Sequence, residues 1–160
     1  MKSPQQAENE KLRLEYLNSL NLLDSEANID IDRITDFIAK LYYVPIALVS
    51  IVDSHRQWFK SKVGLEVQET VRDISFCAHA ILGTDPLIVS DTFLDERFFD
   101  NPLVIGEPYI RFYAGAPLIS KTGVVLGTLC IIDIEPRDFS QGDENILVKL
   151  ASDVIKIIES

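Results

Sequence analysis

Two pairs of strand-like segments constrain the fold of this 160-residue chain more than any other feature. The first pair lies within residues 46–64, and the turn-like link 53–56 separates its two halves. The second pair lies within residues 111–133 and flanks "SKTG", in which Gly123 is expected to adopt the positive φ of a turn. Because short connections of this kind join antiparallel strands, we predict two β-hairpins.

Amphipathic helices are predicted at both ends of the chain. Residues 9–24 repeat leucines at helical spacing, and a second helix with an isoleucine stripe ends before Pro45. The last helix opens on Ser140 and Asp143, which have the spacing of a capping box. Strands grouped between terminal helices indicate an α+β fold, in which the helices cover one face of an antiparallel sheet.

The segment between the hairpins, residues 66–110, is rich in turn-forming residues. We predict one short helix over residues 76–82, capped by Ser75 and followed by Gly83, and one strand in "PLIVSD". Long irregular segments in compact domains usually have a function or cover a site. We therefore expect this insert to cover the second face of the sheet and to roof a small-molecule pocket.

Composition and charge exclude several classes of protein. The chain is 47% apolar with a formal net charge of −10, and its fifteen basic residues are scattered, which argues against nucleic acid and anionic membranes as partners. No apolar run approaches the length of a membrane span, and the N-terminus lacks the apolar core of a signal peptide, so a cytoplasmic location is expected. Cys77 and Cys130 lie far apart without a CxxC motif, so we expect no metal site and no disulfide framework.

Five segments of the chain, taken in order, resemble motifs of the GAF domain family. They are "VPIALVSIVDSHRQWFKSKVGL", "RDISFCAHAI", "DERFFDNPLV", "IRFYAGAPL" and "GVVLGTLCIID". The resemblance covers residues from about 14 to 158 and points to bacterial GAF domains that precede histidine kinase or diguanylate cyclase modules. It implies a central antiparallel sheet of about six strands, terminal helices on one face, and a ligand pocket on the other.

The resemblance also implies a role. We expect residues 1–160 to form a single GAF domain, either complete or a piece of a longer signalling protein. It would be a non-catalytic sensor or regulatory domain in two-component or cyclic di-GMP signalling, with any catalysis in a separate kinase or cyclase domain. GAF domains bind cyclic nucleotides, bilins, haem or amino-acid derivatives, or serve as rigid connectors without a ligand. The ligand and any cofactor therefore stay open.

The stretch "ISFCAHAILG" places Cys77 and His79 two residues apart, as in a nucleophile and its base. On a helix that turns about 100° per residue, their side chains point in nearly opposite directions, which denies the hydrogen bond such a pair needs. We expect Cys77 to be buried and His79 to be the residue that faces a ligand. Cys130 is expected to be a core residue that shares one face of its strand with Leu126, Thr128 and Ile132, because strand side chains alternate.

Two alternative functions use Cys77. One is a bilin-binding photosensor, since bilin-binding GAF domains carry an adjacent Cys-His pair, whereas this chain has Cys-Ala-His. A thiol-dependent redox enzyme related to free methionine-R-sulfoxide reductase is the other alternative.

The candidate ligand-binding residues come from several segments. Aromatic side chains that would converge as a stacking wall are Trp58, Phe76, Phe98, Tyr109 and Tyr113. Polar candidates are His79, Asp91, Arg97, Asn101 and Arg111. The polar residues of the loop 89–102 are explained either by local turn capping and ion pairing or by an arginine that receives an anionic ligand group.

The last helix carries a short heptad seam formed by Leu147, Leu150, Val154 and Ile157. We expect a homodimer through the terminal helices, with this seam at its interface. In the mechanism we expect, a small ligand sets the conformation of the insert, and the change passes to the terminal helices and an output domain. A structural dimerisation module with an empty pocket is a further alternative.

Overall fold

A computed structural model describes residues 1–160. The helices are α1 (Glu10–Ser19), α2 (Ile29–Leu41), α3 (Phe76–Ala80), α4 (Pro102–Ile105) and α5 (Gln141–Ile158). The strands are β1 (Ile46–Val52), β2 (Arg56–Val63), β3 (Glu69–Val71), β4 (Leu87–Val89), β5 (Phe112–Ile119) and β6 (Val125–Asp133). Two 3₁₀ turns, Arg72–Ile74 and Thr92–Leu94, lie in the insert. No helix combines the length and hydrophobicity that crossing a membrane requires.

The six strands form one sheet in the order β3-β2-β1-β6-β5-β4, and every neighbouring pair is antiparallel. Both predicted hairpins are present as β1–β2 and β5–β6, and they meet at the centre of the sheet through β1 and β6. Gly123 has the expected positive φ, at 88°. The edge strands β3 and β4 both come from the insert, and β3 was not predicted because three residues carry too little pattern.

The sheet separates two hydrophobic cores. Along β1, Ala47, Val49 and Ile51 pack with the terminal helices on one face. Ile46 and Leu48, on the other face, pack with α3 and the rest of the insert. The predicted α+β layering is therefore confirmed, with helices on one face and the insert on the other.

Side-chain caps set the start of several helices. Asn28 accepts hydrogen bonds from the first backbone N–H groups of α2, and Ser75 accepts one from Ala78 at the start of α3. Ser140 and Asp143 form the predicted capping box of α5. The end of α3 differs from the prediction, because Ala80 is its last residue and Gly83 does not have a positive φ.

One expected face assignment in β6 is wrong. Thr128 pairs with Pro117, whereas Val125 pairs with Ile119, so β6 contains one residue more than β5 across this interval. This β-bulge reverses the alternation of side chains. Leu126 therefore packs on the helix side, while Cys130 packs on the insert side.

The heptad seam predicted in α5 packs against the sheet of its own chain. Leu147 and Val154 are completely buried in the helix-side core, and Leu150 and Ile157 pack against its margin. The prediction that these four residues form a dimer interface is therefore wrong for Leu147 and Val154. Spacings of three and four mark the apolar face of any amphipathic helix, and here the domain's own core covers that face.

Candidate functional site

A cavity of about 670 Å³ lies between the sheet and the insert, on the face away from the terminal helices. This volume is in the range of small-molecule sites. Its floor and walls are contributed by Leu48, Gln57, Phe59, Thr70, Phe76, Cys77, Leu103, Ile110, Tyr113 and Ile132. Its mouth is formed by two loops that contribute Gly64, Leu65, Glu66 and Val67 from one side and Glu107, Pro108 and Tyr109 from the other.

The deepest polar groups form a cluster around the Cys77 thiol. Cys77 Sγ lies 3.0 Å from Thr128 Oγ1 and 3.3 Å from the hydroxyl of Tyr113, within hydrogen-bond distance of both. Tyr113 reaches the thiol by lying over Gly115, where an added Cβ would be only 2.1 Å from the phenol oxygen. Position 115 therefore has to be glycine for this cluster to form.

Hydrogen bonding around Cys77 changes the acidity of the whole cluster. Burial acts to raise the pKa of the Cys77 thiol, but hydrogen bonds from four neighbours outweigh burial and lower this pKa to about 6. These neighbours are Cys130, Thr128, Tyr113 and Ser50. The hydrogen bond with Cys77, together with burial, raises the pKa of Cys130, and burial raises that of Tyr113. Cys77 is therefore the member of this cluster whose neighbours favour the thiolate.

A second buried network centres on Gln57. Its side-chain oxygen accepts hydrogen bonds from Ser50 at 3.0 Å and Ser75 at 2.8 Å, and its amide nitrogen donates to Thr70 at 2.5 Å. Because Ser75 also caps α3, this network ties the start of α3 to β2. The polar groups of the cavity floor thus satisfy one another within the protein.

A buried ion cluster connects the insert with α1. The carboxylate of Glu10 lies 2.9 Å from Arg13 and 2.5 Å from Arg72. Arg13 is completely buried and donates to the carbonyl of Val52 at 2.7 Å, while Arg72 donates to that of Asp53 at 2.9 Å. Burial acts to raise the pKa of Glu10, but the hydrogen bonds from the two arginines lower it to about 2. The turn before α3 is therefore bound to the N-terminal helix.

Comparison with known families assigns this architecture. The model of the GAF domain family matches residues 28–158, which is most of the chain. The chain is a GAF domain. It is 48% identical over 137 residues to a cyclic di-GMP phosphodiesterase of Pseudomonas aeruginosa. This match covers 86% of this chain but only 23% of that relative.

Solved structures show the same fold at low sequence identity. The GAF domain of a phosphoenolpyruvate-protein phosphotransferase from Acinetobacter superposes with a TM-score of 0.67 and 18% identity, covering 92% of this chain and 93% of that one. A type II free methionine-R-sulfoxide reductase from Thermoplasma acidophilum superposes with a TM-score of 0.67 and 14% identity, covering 81% and 90%. At these identities the likeness concerns the fold alone.

Three of the predicted pocket residues line the cavity of this GAF domain, namely Phe76, Tyr109 and Tyr113. Phe76 and Tyr113 are buried, and Tyr109 is exposed at the mouth. Cys77, which we expected to be only a core residue, is buried as predicted but also lines the cavity.

The other predicted aromatic residues and His79 lie outside the cavity. Trp58 packs on the opposite face of the sheet, in the helix-side core. Phe98 stacks behind Phe76 at a centroid distance of 4.0 Å, and the rings of His79 and Phe98 form a T-shaped pair. His79 Nε2 is 3.1 Å from the carbonyl oxygen of Lys2, and burial lowers the His79 pKa. His79 therefore faces the N-terminal segment rather than the cavity.

The polar candidate residues pair with other groups of the protein rather than with the cavity. Arg97 pairs with Asp95 at 2.7 Å, and Arg111 pairs with Asp91 at 3.1 Å. Asn101 is the N-cap of α4. These residues do not line the cavity, although Arg111 and Tyr113 were expected to share its wall.

Sequence reasoning missed several lining residues. Alternation along β2 places Gln57 and Phe59 on the face opposite Trp58, so the pattern of this strand held a usable signal. Glu66 and Glu107 lie in irregular loops, where no periodicity marks the direction of a side chain. No group of three or more histidine, cysteine or acidic side chains is arranged to hold a metal ion.

Proposed function

We propose that this GAF domain is a sensor that binds a small molecule in the cavity and passes the effect to its terminal helices. The observation that carries the proposal is the position of α3. Phe76 and Cys77 of α3 line the cavity, and Arg72, in the turn just before α3, is bound to Glu10 of α1. A ligand that shifts α3 would therefore pull on the N-terminal helix.

The setting we propose is a cytoplasmic signalling protein in which this domain has no catalytic role. The GAF domain covers only 23% of the cyclic di-GMP phosphodiesterase to which it is similar, so other parts of that relative lie outside the match. We infer that a separate output domain carries the activity in cyclic di-GMP signalling or a two-component system. The ligand regulates that output only if it binds two conformations with different affinity.

The proposal also includes a homodimer formed through the terminal helices, but with an interface different from the predicted heptad seam. Phe37 and Leu41 on α2 and Ile146 on α5 are exposed apolar side chains. The hydroxyl of Tyr42 donates to the carbonyl of Asp143 at 2.8 Å, so the end of α2 lies beside the start of α5. We propose that these exposed side chains take the place of the buried heptad seam in a homodimer.

A screen of small molecules by thermal shift tests the cavity, since a ligand at one hundred times its Kd adds about 2.7 kcal/mol to the free energy of unfolding. In Leu103→Trp, the larger side chain projects into the cavity and obstructs it, and we expect the shift to disappear. Ile105→Trp is the matched control, because Ile105 is on the same helix but exposed outside the cavity. It should keep the shift.

Hydrogen exchange then tests transmission. Ligand binding should slow amide exchange in residues 10–19 in the wild type, and Glu10→Gln should remove this protection while leaving ligand affinity unchanged. Binding without any change in α1 would contradict the proposed transmission. Equal ligand shifts in Leu103→Trp and Ile105→Trp would contradict the cavity as the binding site.

A thiol-dependent redox enzyme is the second candidate function, and the position of Cys77 favours it. The Cys77 thiol lines the cavity, and its pKa is lowered to about 6. The test is turnover of free methionine-R-sulfoxide or peroxide by the wild type with a thiol reductant, compared with Cys77→Ala. Turnover that depends on Cys77 would establish an enzyme, and its absence in the wild type would remove this candidate.

A further inference from the structure

All charged side chains that line the cavity are acidic. Glu66 from the β2–β3 loop and Glu107 from the α4–β5 loop are both exposed at the mouth. No lysine, arginine or histidine is among the lining residues. Lys62, close to the first loop in sequence, donates to the backbone carbonyl oxygens of Glu66 and Val67 at 2.7 and 3.2 Å. The mouth therefore carries two carboxylates against one ammonium group beside the first loop, and the net charge of −10 adds to the negative potential.

The interior has little to offer an anionic group. The side chains of Gln57, Tyr113 and Cys77 are already hydrogen-bonded to protein partners. A phosphate or carboxylate placed there would lose its hydration without gaining a cation. An anionic end of a ligand is therefore less stable at the floor of the cavity than in water.

The floor of the cavity suits an apolar part of a ligand, and one edge of its mouth suits a cationic part. Leu48, Phe59, Phe76 and Ile132 make the floor apolar, which favours a hydrophobic body. At the mouth, the exposed ring of Tyr109 stands two residues from Glu107. An aromatic ring and carboxylates together attract an organic cation.

From these observations we infer that the cavity takes a protonated amine carried on an apolar body, with the body inserted and the ammonium group at Glu66 and Glu107. This inference rests on the proposed function, in which the cavity binds a small molecule. It excludes nucleotides and other organic anions as the ligand of this site.

Three indole compounds of similar size test the charge preference with the whole chain. They are tryptamine, which is cationic, 3-methylindole, which is neutral, and indole-3-acetate, which is anionic. Dissociation constants are measured by NMR titration, which also maps the site. Two rim carboxylates should make tryptamine bind roughly tenfold more tightly than indole-3-acetate at low ionic strength, with a smaller ratio at high salt.

The double variant Glu66→Gln/Glu107→Gln should lower tryptamine affinity to that of 3-methylindole, which should itself be unchanged. Glu135→Gln is the matched control, because Glu135 is exposed but does not line the cavity. Indole-3-acetate binding as tightly as tryptamine, with 3-methylindole still bound in the cavity, would overturn only the charge preference. Failure of all three to perturb the cavity residues would overturn this inference and the proposed ligand site together.

Discussion

The thiol of Cys77 is only 2% exposed, yet the hydroxyl groups of Thr128 and Tyr113 lie within hydrogen-bond distance of its sulfur. We expect the ultraviolet absorbance of a thiolate to appear with a midpoint near pH 6 in the wild type and to be absent in Cys77→Ser. Because this pKa is lower in the folded than in the unfolded chain, the free energy of unfolding should rise between about pH 6 and pH 8.5.

Cys130→Ala provides the control for that titration. It removes one donor to the Cys77 sulfur, so the midpoint should move to higher pH without disappearing. A wild-type step found only near the usual thiol pKa of about 8.5 would show that burial dominates the environment of Cys77.

Glycine is required at position 127 by the close approach of β1 and β6. A Cβ there would lie 1.9 Å from the carbonyl oxygen of Ser50. We expect Gly127→Ala to lower the free energy of unfolding by about 2–3 kcal/mol in urea denaturation. Gly142→Ala, in the open first turn of α5, should be neutral or up to about 1 kcal/mol more stable. Equal effects of the two substitutions would disprove the crowding at Gly127.

The types of the residues alone were enough to predict part of the cavity lining. Phe76, Tyr109 and Tyr113 were predicted because large aromatic side chains converge in cores and pockets. The position of Leu126 was mispredicted because a bulge at a neighbouring glycine has no signature in a simple alternating pattern. Glu66 was not predicted because its direction depends on how the insert folds over the sheet.

At the level of elements, the ion cluster of Glu10, Arg13 and Arg72 joins α1 to the insert. Removing the charge of Glu10 leaves two arginines without their partner, so Glu10→Gln should cost about 3 kcal/mol at pH 7. Since the folded-state pKa of Glu10 is about 2, below its ordinary value of 4.5, this contribution is present above pH 4.5 and is lost as the pH falls towards 2.

Urea unfolding of the wild type and Glu10→Gln at several pH values measures this contribution. The difference in free energy between them should be constant above about pH 5 and should shrink at lower pH. Glu15→Gln, at an exposed position of the same helix, should behave like the wild type. A difference that persists unchanged at pH 3 would show that the loss comes from packing rather than charge.

The major elements were predictable because their patterns extend over many residues. Both hairpins, α2 and α5 show strong alternation or helical spacing, and Ser140 marked the start of α5. The burial of Arg13, in contrast, was not predictable. Nothing in the sequence indicates that this charged residue of α1 is completely buried. Its burial depends on carbonyl groups of two distant strands.

At the scale of the whole molecule, the proposed dimer can be tested through the molecular mass of the protein in solution. We expect the wild type to sediment as a concentration-dependent dimer, and Phe37→Glu/Ile146→Glu to sediment as a monomer, because charges would be buried at the interface. Leu94→Glu is the matched control, since Leu94 is highly exposed on the insert and should leave the dimer intact. A wild type that is monomeric at every concentration would disprove the dimer.

The layered architecture was predicted, but the partner of each apolar face was not. Spacing identified the apolar side of α5, and only the packed structure shows that β5 and β6 cover it. The cavity was likewise predicted from an insert that covers the sheet, whereas its volume and the sign of its charge depend on loops 64–67 and 107–109.

The position of Trp58 has a practical consequence for the study of ligands. It is the only tryptophan, it lies on the helix side of β2, and its neighbours Gln57 and Phe59 line the cavity. A bound molecule would therefore touch the strand on both sides of the indole without touching the indole itself. The fluorescence of Trp58 is thus an intrinsic reporter of the position of β2. A change in its emission on ligand binding records displacement of the strand and not contact quenching by the ligand.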